Sequence, residues 1–213
     1  MLNQFITTLR HRLSLPLPGR EAQLLMAHAG RKIHSISYKV PQDARWGSVL
    51  ILFYEEDHKI KFPLILRATY DGVHSGQVGF PGGKFEPEDV NLFSTALREA
   101  KEEIGIESND VDMLGSLTDL FIPPSNFLVH PQVGMIAYTP EFIPDPSEVV
   151  SVIEVPLDEL MNEHFVKEKE VTLSNGLTIV SPYYELQGHH VWGATAMVLS
   201  ELKTLVKELG EGW

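Results

Sequence analysis

Apolar residues along the chain fall into short runs with two different periods. Residues 47–54, GSVLILFY, form a nearly unbroken apolar run, which predicts a buried strand. EEDHK at 55–59 reads as a turn, and FPLILRAT at 62–69 as a second strand paired with the first in a hairpin. A glycine-rich loop, DGVHSGQVGFPGGK, follows at 71–84. The period then changes. Val90, Leu92, Phe93, Ala96, Leu97, Ala100 and Ile104 recur mostly at helical spacing, which predicts a helix over 90–104 with Gly105 as its C-terminal cap. Further strands are predicted at 113–121, 132–139 and 148–155, and a short helix at 156–160 with Pro156 in its first position. Asn175-Gly176 between two alternating runs is a hairpin signal, and residues 194–209 read as an amphipathic helix. Ahead of all this, residues 1–14 and 20–29 predict two short helices separated by LPLPG. Mixed strands with a few helices point to a sheet covered on its faces.

Composition narrows the function. The 213 residues are 43% hydrophobic and 22% charged, with no cysteine, so disulfides and thiolate metal sites are excluded. The formal net charge of −12 argues against nucleic-acid binding through a broad basic surface, but not against an anionic small ligand held by local cations or metals. No apolar run reaches the roughly 18 residues of a membrane span, and the first twenty residues lack the apolar segment of a signal peptide. A cytoplasmic location is the expectation, without a membrane partner.

The densest chemistry lies between Gly79 and Ile106, where Glu99, Glu102 and Glu103 follow a glycine turn and the acids Glu86, Glu88 and Asp89. On a helix Glu99 lies three residues from Glu102 and four from Glu103, so all three project toward one side. Like charges at these spacings cost about 0.2–0.5 kcal/mol per exposed pair. A divalent cation with oxygen preference, Mg2+ or Mn2+, would remove that cost. Glu99, Glu102 and Glu103 are therefore candidate metal ligands, Glu99 and Glu103 foremost, with the Gly83 carbonyl as a fourth donor. Arg98 is placed to pair with Glu102. The competing reading of REAKEE by itself is a solvated charged face.

The glycine turn and the order of charges decide between these readings. Gly82, Gly83, Arg98, Glu99, Ala100, Glu102, Glu103, Gly105 and Ile106 resemble the Nudix box, the signature of Nudix hydrolases. The interval from Gly83 to Arg98 is one residue longer than usual, and Glu88 and Asp89 are the candidates to replace the box's separate upstream glutamate. FPGGK at 80–84, TALREA at 95–100, the upstream Arg67, His74 and Gly76, and HHVWGATAMVL at 189–199 are similar to the coenzyme A diphosphatase branch of that family. PSEVVSVIEVPLDEL at 146–160 fits the general family pattern. The likeness covers roughly residues 45–205. Three positions depart from the branch: Gly72 stands near the place of a second arginine, Ala68 replaces a serine, and Gln77 stands where glutamate is frequent.

The resemblance implies an α/β (α+β) fold, a mixed sheet sandwiched between helices, with residues 1–44 as an N-terminal helical extension and 45–213 as the hydrolase domain. It implies metal-dependent hydrolysis, with Mg2+ or Mn2+, of a diphosphate linkage in a nucleoside diphosphate derivative. Coenzyme A or acyl-coenzyme A is the first expectation. ADP-ribose, a dinucleotide or a nucleotide sugar is the alternative, and a non-catalytic ligand-binding module is the reading from another class. Arg98, Glu99, Glu102 and Glu103 are the expected catalytic set, with Glu102 or Glu148 as general base. Arg67, His74 and Lys84 are candidate substrate contacts, and Arg67 and Lys84 are the cations nearest in sequence to the missing arginine. Asn126, Phe127 and His130 are weighed as substrate contacts against ordinary turn chemistry, and Trp192 is read as core before stacking platform. The partner is a small nucleotide, with no nucleic acid, and a homodimer is allowed.

Overall fold

The computed structural model describes residues 2–34, 39–68, 76–172, 176 and 178–210. Its centre is strand β1 (Arg45–Glu56). Leu50, Leu52 and Tyr54 enter one hydrophobic cluster, and Ile51 and Phe53 enter a larger one on the opposite face. Alternate side chains on a strand point to opposite faces. An apolar run without polar interruptions is therefore what a strand covered on both sides requires.

β1 turns through Asp57 and His58, both in the left-handed region at φ 49° and 61°, into β2 (Lys59–Arg67), with Tyr54 opposite Lys61. The predicted hairpin is present. Short strands β3 (Val78–Gly79) and β4 (Gly82–Lys84) pair with β2 and β1. Helix α4 (Leu92–Ile104) follows, then β5 (Asp112–Ser116), β6 (Leu120–Ile122), β7 (Phe127–Met135) and β8 (Val149–Pro156). β1 and β7 are parallel and the other pairings antiparallel, giving a mixed eight-stranded sheet among the described residues. A second sheet holds β9 (Val166–Thr172), β10 (Thr178–Leu186) and β11 (His189–Trp192).

Helices cover both faces. On one lies α4, through Ala96, Ala100 and Ile104. On the other lie α1 (Leu2–Leu13), α5 (Leu157–Met161) and the C-terminal α6 (Gly193–Lys207). The predicted fold class is the observed one. Between α1 and β1 lie the short α2 (Gly19–Leu25) and α3 (Ala29–His34).

Several details differ from the sequence expectations. The strand expected over 113–121 is two strands, because Thr118 is drawn out of the ladder by Glu201 on α6. β7 begins at Phe127 rather than 132, with Pro131 inside it, where the carbonyl still accepts from Leu117 N. Helix α4 starts at Leu92, capped by a reciprocal Asn91–Ser94 pair, and Val90 is 88% exposed rather than part of the apolar stripe. Pro156 is the N-cap of α5, not its first residue.

The N-terminal helices are tied to the core by Glu201, which is fully buried. Its carboxylate accepts from Gly19 N at 3.0 Å, Gln23 Nε2 at 2.9 Å and Thr118 Oγ1 at 2.6 Å. Glu201→Ala would leave these donors unmatched, so it is expected to cost about 3 kcal/mol in chemical denaturation. A cost below about 0.5 kcal/mol, typical of surface changes, would show that the cluster holds nothing.

Candidate active site

The capping box fixes where α4 begins, and Gly105, at φ 75°, fixes where it ends. Between these points Thr95, Ala96, Ala100 and Ile104 face inward, and Glu103 faces inward with them at 1% exposure. The Glu103 carboxylate is held on both oxygens. Gly82 N donates to Oε2 at 2.7 Å, and Arg67 Nη1 donates to Oε1 at 2.9 Å. Arg67 Nη2 closes the ring by donating to the Gly82 carbonyl at 2.8 Å. Arg67 is thus engaged by the acidic helix and the glycine turn rather than free in solvent.

Glu99, one turn earlier, lies against Gly83 so closely that a Cβ on Gly83 would stand 2.4 Å from its carboxyl carbon. Burial raises the pKa of Glu99, against the pull of Arg98, with Glu102 and Glu148 adding to the rise. Burial also pushes Glu103 up to about 7, despite Arg67 and the Gly82 N–H, and Glu99 and Glu148 push the same way. Four carboxylates, Glu99, Glu102, Glu103 and Glu148, are therefore coupled at a single site. Glu148 reaches it from the loop before β8, which is tied back by Ala68 N donating to the Glu148 carbonyl at 2.8 Å.

Arg98 organises the exposed side of the cluster. Its Nη1 lies 2.9 Å from Glu99 Oε1 and 3.1 Å from Glu102 Oε2. Its Nε and Nη2 bind the two oxygens of Asp89 at 3.0 and 3.1 Å, and Nη2 also reaches the Lys84 carbonyl. Asp89 accepts from Thr95 Oγ1 and Glu86 N as well. These contacts, Arg98 foremost, hold its carboxyl down to about 2. Of the two upstream acids, Asp89 is buried at the helix and Glu88 is exposed. The residue in the upstream place is an anchor for Arg98.

Next to this cluster is a cavity of about 280 Å³ between β1, β7 and α6. Arg67, Gly82, Gly83 and Lys84 line its polar end, and Phe80, Phe127, Val129 and Val198 are among its apolar walls. Asn126 adopts the left-handed conformation at φ 53° and donates to the Asp43 carbonyl, which is turn chemistry. His130 lies against Trp46 and Asp119. Trp192 precedes α6 and is partly buried. His74 and Gly72 lie outside the described residues.

The donor set suits a hard divalent cation. It offers oxygen donors only, its carboxylates repel one another, and the cradle at Gly83 would be filled by any Cβ. No group of three or more His, Asp or Glu side chains among the described residues is already drawn together as a metal cage. The reason is visible in the contacts: Glu103 is turned onto Gly82 and Arg67, and Glu102 is held out by Arg98.

A mixed sheet between helices, with an Arg-Glu-x-x-Glu-Glu helix packed against a glycine turn, defines a diphosphate hydrolase of the Nudix type. Residues 44–175 match the NUDIX domain model, and the chain belongs to the Nudix family. It is 31% identical to the uncharacterized Nudix hydrolase NudL of Yersinia pestis over 202 residues, covering 93% of this chain and 94% of that protein. Against the NudL of Photorhabdus laumondii the identity is 36% over 134 residues, covering 63% and 71%. Among solved structures, the Nudix hydrolase RenU of M. smegmatis superposes with a TM-score of 0.53 at 12% identity, covering 80% of this chain and 90% of that one. A Nudix hydrolase of Nitrosomonas europaea gives 0.50 at 16% identity, covering 79% and 73%. Enzymes of this family act on small nucleoside diphosphate derivatives and generally use divalent metal ions. Among the described residues no helix is long and apolar enough to cross a membrane.

Proposed function

We propose that this enzyme adds water across the diphosphate linkage of coenzyme A or its acyl thioesters, releasing adenosine 3′,5′-bisphosphate and (acyl-)4′-phosphopantetheine. The observation that carries the reading is the ring formed by Glu103, Arg67 and Gly82 beside Glu99 and Gly83, at the mouth of an apolar cavity. That cavity, with Phe80, Val129 and Val198 on its walls and Gln77, Ser125 and Thr195 also lining it, suits a slender uncharged chain that alternates methylenes with amides, such as pantetheine. The branch markers Phe80–Lys84 and Thr95–Ala100 support the same choice.

Glu99, Glu102 and Glu103, with the Gly83 carbonyl, would hold Mg2+ or Mn2+. When bound, the cation screens the diphosphate and lowers the pKa of a water. The chain's own residues do the positioning. Arg67 fixes the rotamer of Glu103, and Arg98 sets Glu99 and Glu102 at the site's rim while Asp89 anchors Arg98 from behind. Glu102 and Glu148 are exposed carboxylates at the rim, either placed to take the proton of an attacking water. Lys84 and the segment holding His74 provide candidate contacts to phosphate. The intact glutamate set weighs against a ligand-binding module without catalysis. We assign residues 45–213 to the hydrolase domain and 1–44 to a helical extension, and place the enzyme in the cytoplasm. A homodimer is compatible with this reading.

The test is a hydrolysis screen over coenzyme A, acyl-coenzyme A, ADP-ribose, NADH and diadenosine polyphosphates with Mg2+ or Mn2+, with products identified by mass. Coenzyme A should yield the bisphosphate and phosphopantetheine. Cleavage of ADP-ribose or a dinucleotide with coenzyme A untouched would overturn the substrate and leave the hydrolase class standing.

A further inference from the structure

Adjoining the apolar cavity lies an open groove of about 590 Å³, lined by Trp46, Arg45, Lys84, Phe85, Val90 and Leu92 among others. Lys84 lines both spaces and so marks their junction. Trp46 is 53% exposed, which is costly for the largest apolar side chain. It is nevertheless held in place. His130 stacks behind the indole, with ring centroids 5.3 Å apart and planes 28° from parallel. His130 is itself fixed by Asp119, whose Oδ1 lies 2.6 Å from its Nδ1. Arg45 beside it is also fixed, lying 4.3 Å above the Phe127 ring and donating to the Ser125 carbonyl at 2.5 Å. The Lys84 ammonium makes no ion pair among the described residues. In a chain of net charge −12, this groove has the Lys84 cation and no acidic side chain among the residues that line it, while the Arg45 guanidinium is turned onto Phe127 and Ser125 of the apolar cavity.

An exposed indole braced from behind, with a cation at the end of its groove, suits a planar ring that carries phosphate. We propose that the Trp46 groove is the nucleobase subsite: the base stacks on the free face of Trp46, and Lys84 receives the phosphate charge of the nucleotide half. This rests on the reading of a nucleotide substrate at Glu99 and Glu103, and it assigns the two halves of the substrate to two spaces that meet at Lys84. It also provides a replacement for the arginine absent at Gly72. Arg67, engaged with Glu103, is not needed for that role.

The experiment is calorimetric titration of the full chain without metal, using AMP and, separately, 4′-phosphopantetheine. Trp46→Ala should weaken AMP binding by about tenfold or more. Trp46→Phe, which keeps an aromatic face and the fold, should recover most of that loss, and phosphopantetheine binding should change less than about twofold in either variant. Lys84→Ala should weaken adenosine 3′,5′-bisphosphate more than it weakens adenosine. AMP affinity unchanged in Trp46→Ala, equal loss of both ligands, or wild-type AMP binding weaker than about 1 mM would overturn the subsite. AMP is common to every adenine-bearing candidate substrate. Failure of coenzyme A cleavage would therefore sink the substrate assignment without touching this result, and an AMP titration insensitive to Trp46 would sink the subsite without touching hydrolysis.

Discussion

Glu103→Gln is expected to lower turnover by more than about a hundredfold, since even outer partners of a metal site are typically worth 10–100-fold. The amide keeps the size and can still accept from Gly82 N, but it cannot supply a charged oxygen to a cation. The sequence spacing groups this carboxylate with Glu99 and Glu102 on one side of a helix, with like-charge costs reckoned for exposed pairs. The structure buries it: Glu103 is 1% exposed and pairs with Arg67. Because burial outweighs the pull of Arg67 and disfavours the carboxylate, the neutral amide should match the wild type in stability at acid pH and gain on it as pH rises. The pH dependence separates the two effects. Because the folded-state pKa of Glu103 is raised from 4.5 to about 7, the folded protein binds its proton more tightly than the unfolded chain does. Stability of the metal-free wild type should therefore fall as pH rises between those values, and Glu103→Gln should lack that slope. Denaturation midpoints across pH in the presence of a chelator, together with Mn2+ titration and steady-state rates, measure all three quantities. Near-normal turnover of the variant at saturating magnesium would remove Glu103 from the reaction.

What the sequence made legible was local. Glu99 and Glu103 come together because a helix brings positions four apart onto one side, and the Asp57-His58 turn and the Gly105 cap follow from short-range backbone preference. What it hid depends on residues far apart in the chain. The partner of Glu103 is Arg67, thirty-six positions away, and nothing in the spacing of either residue announces the pair. Thr118 looked like the middle of a strand because the pull of Glu201, eighty-three residues later, leaves no trace in apolar periodicity. Pro131 concealed the first half of β7, because proline in a strand reads as a loop until its carbonyl is seen accepting from Leu117. Trp46 lies just ahead of the predicted apolar run at 47–54, and its spacing does not single it out. Its brace depends on His130 and Asp119, which come from two other segments.

Gly82→Ala and Gly83→Ala, one residue apart, are expected to fail in different ways. Gly82 sits at φ 150°, and a Cβ there would stand 2.3 Å from the Ser48 carbonyl oxygen and 2.6 Å from Val49 Cα. Both obstacles are backbone of the central strand, so the β1–β4 pairing must open. The expected cost is more than about 3 kcal/mol, from combined steric and backbone strain, and a poorly folded product. Gly83 has ordinary backbone geometry, and the three atoms nearest to its Cβ would be those of the Glu99 carboxyl group, at 2.4–2.5 Å. That group ends a flexible side chain and can swing away at little cost to the fold. Gly83→Ala should therefore keep a melting temperature within a few degrees of wild type, equivalent to about 1 kcal/mol or less, while kcat/KM falls by about a hundredfold because Glu99 is expelled from the place where the cation is held. Mn2+ affinity should drop in parallel, and Glu99→Gln combined with Gly83→Ala should be little worse than either alone, since both remove the same carboxylate. A Gly83→Ala protein with full activity would show that Glu99 acts from another position. One that unfolds as readily as Gly82→Ala would show that the second glycine serves the sheet rather than the site.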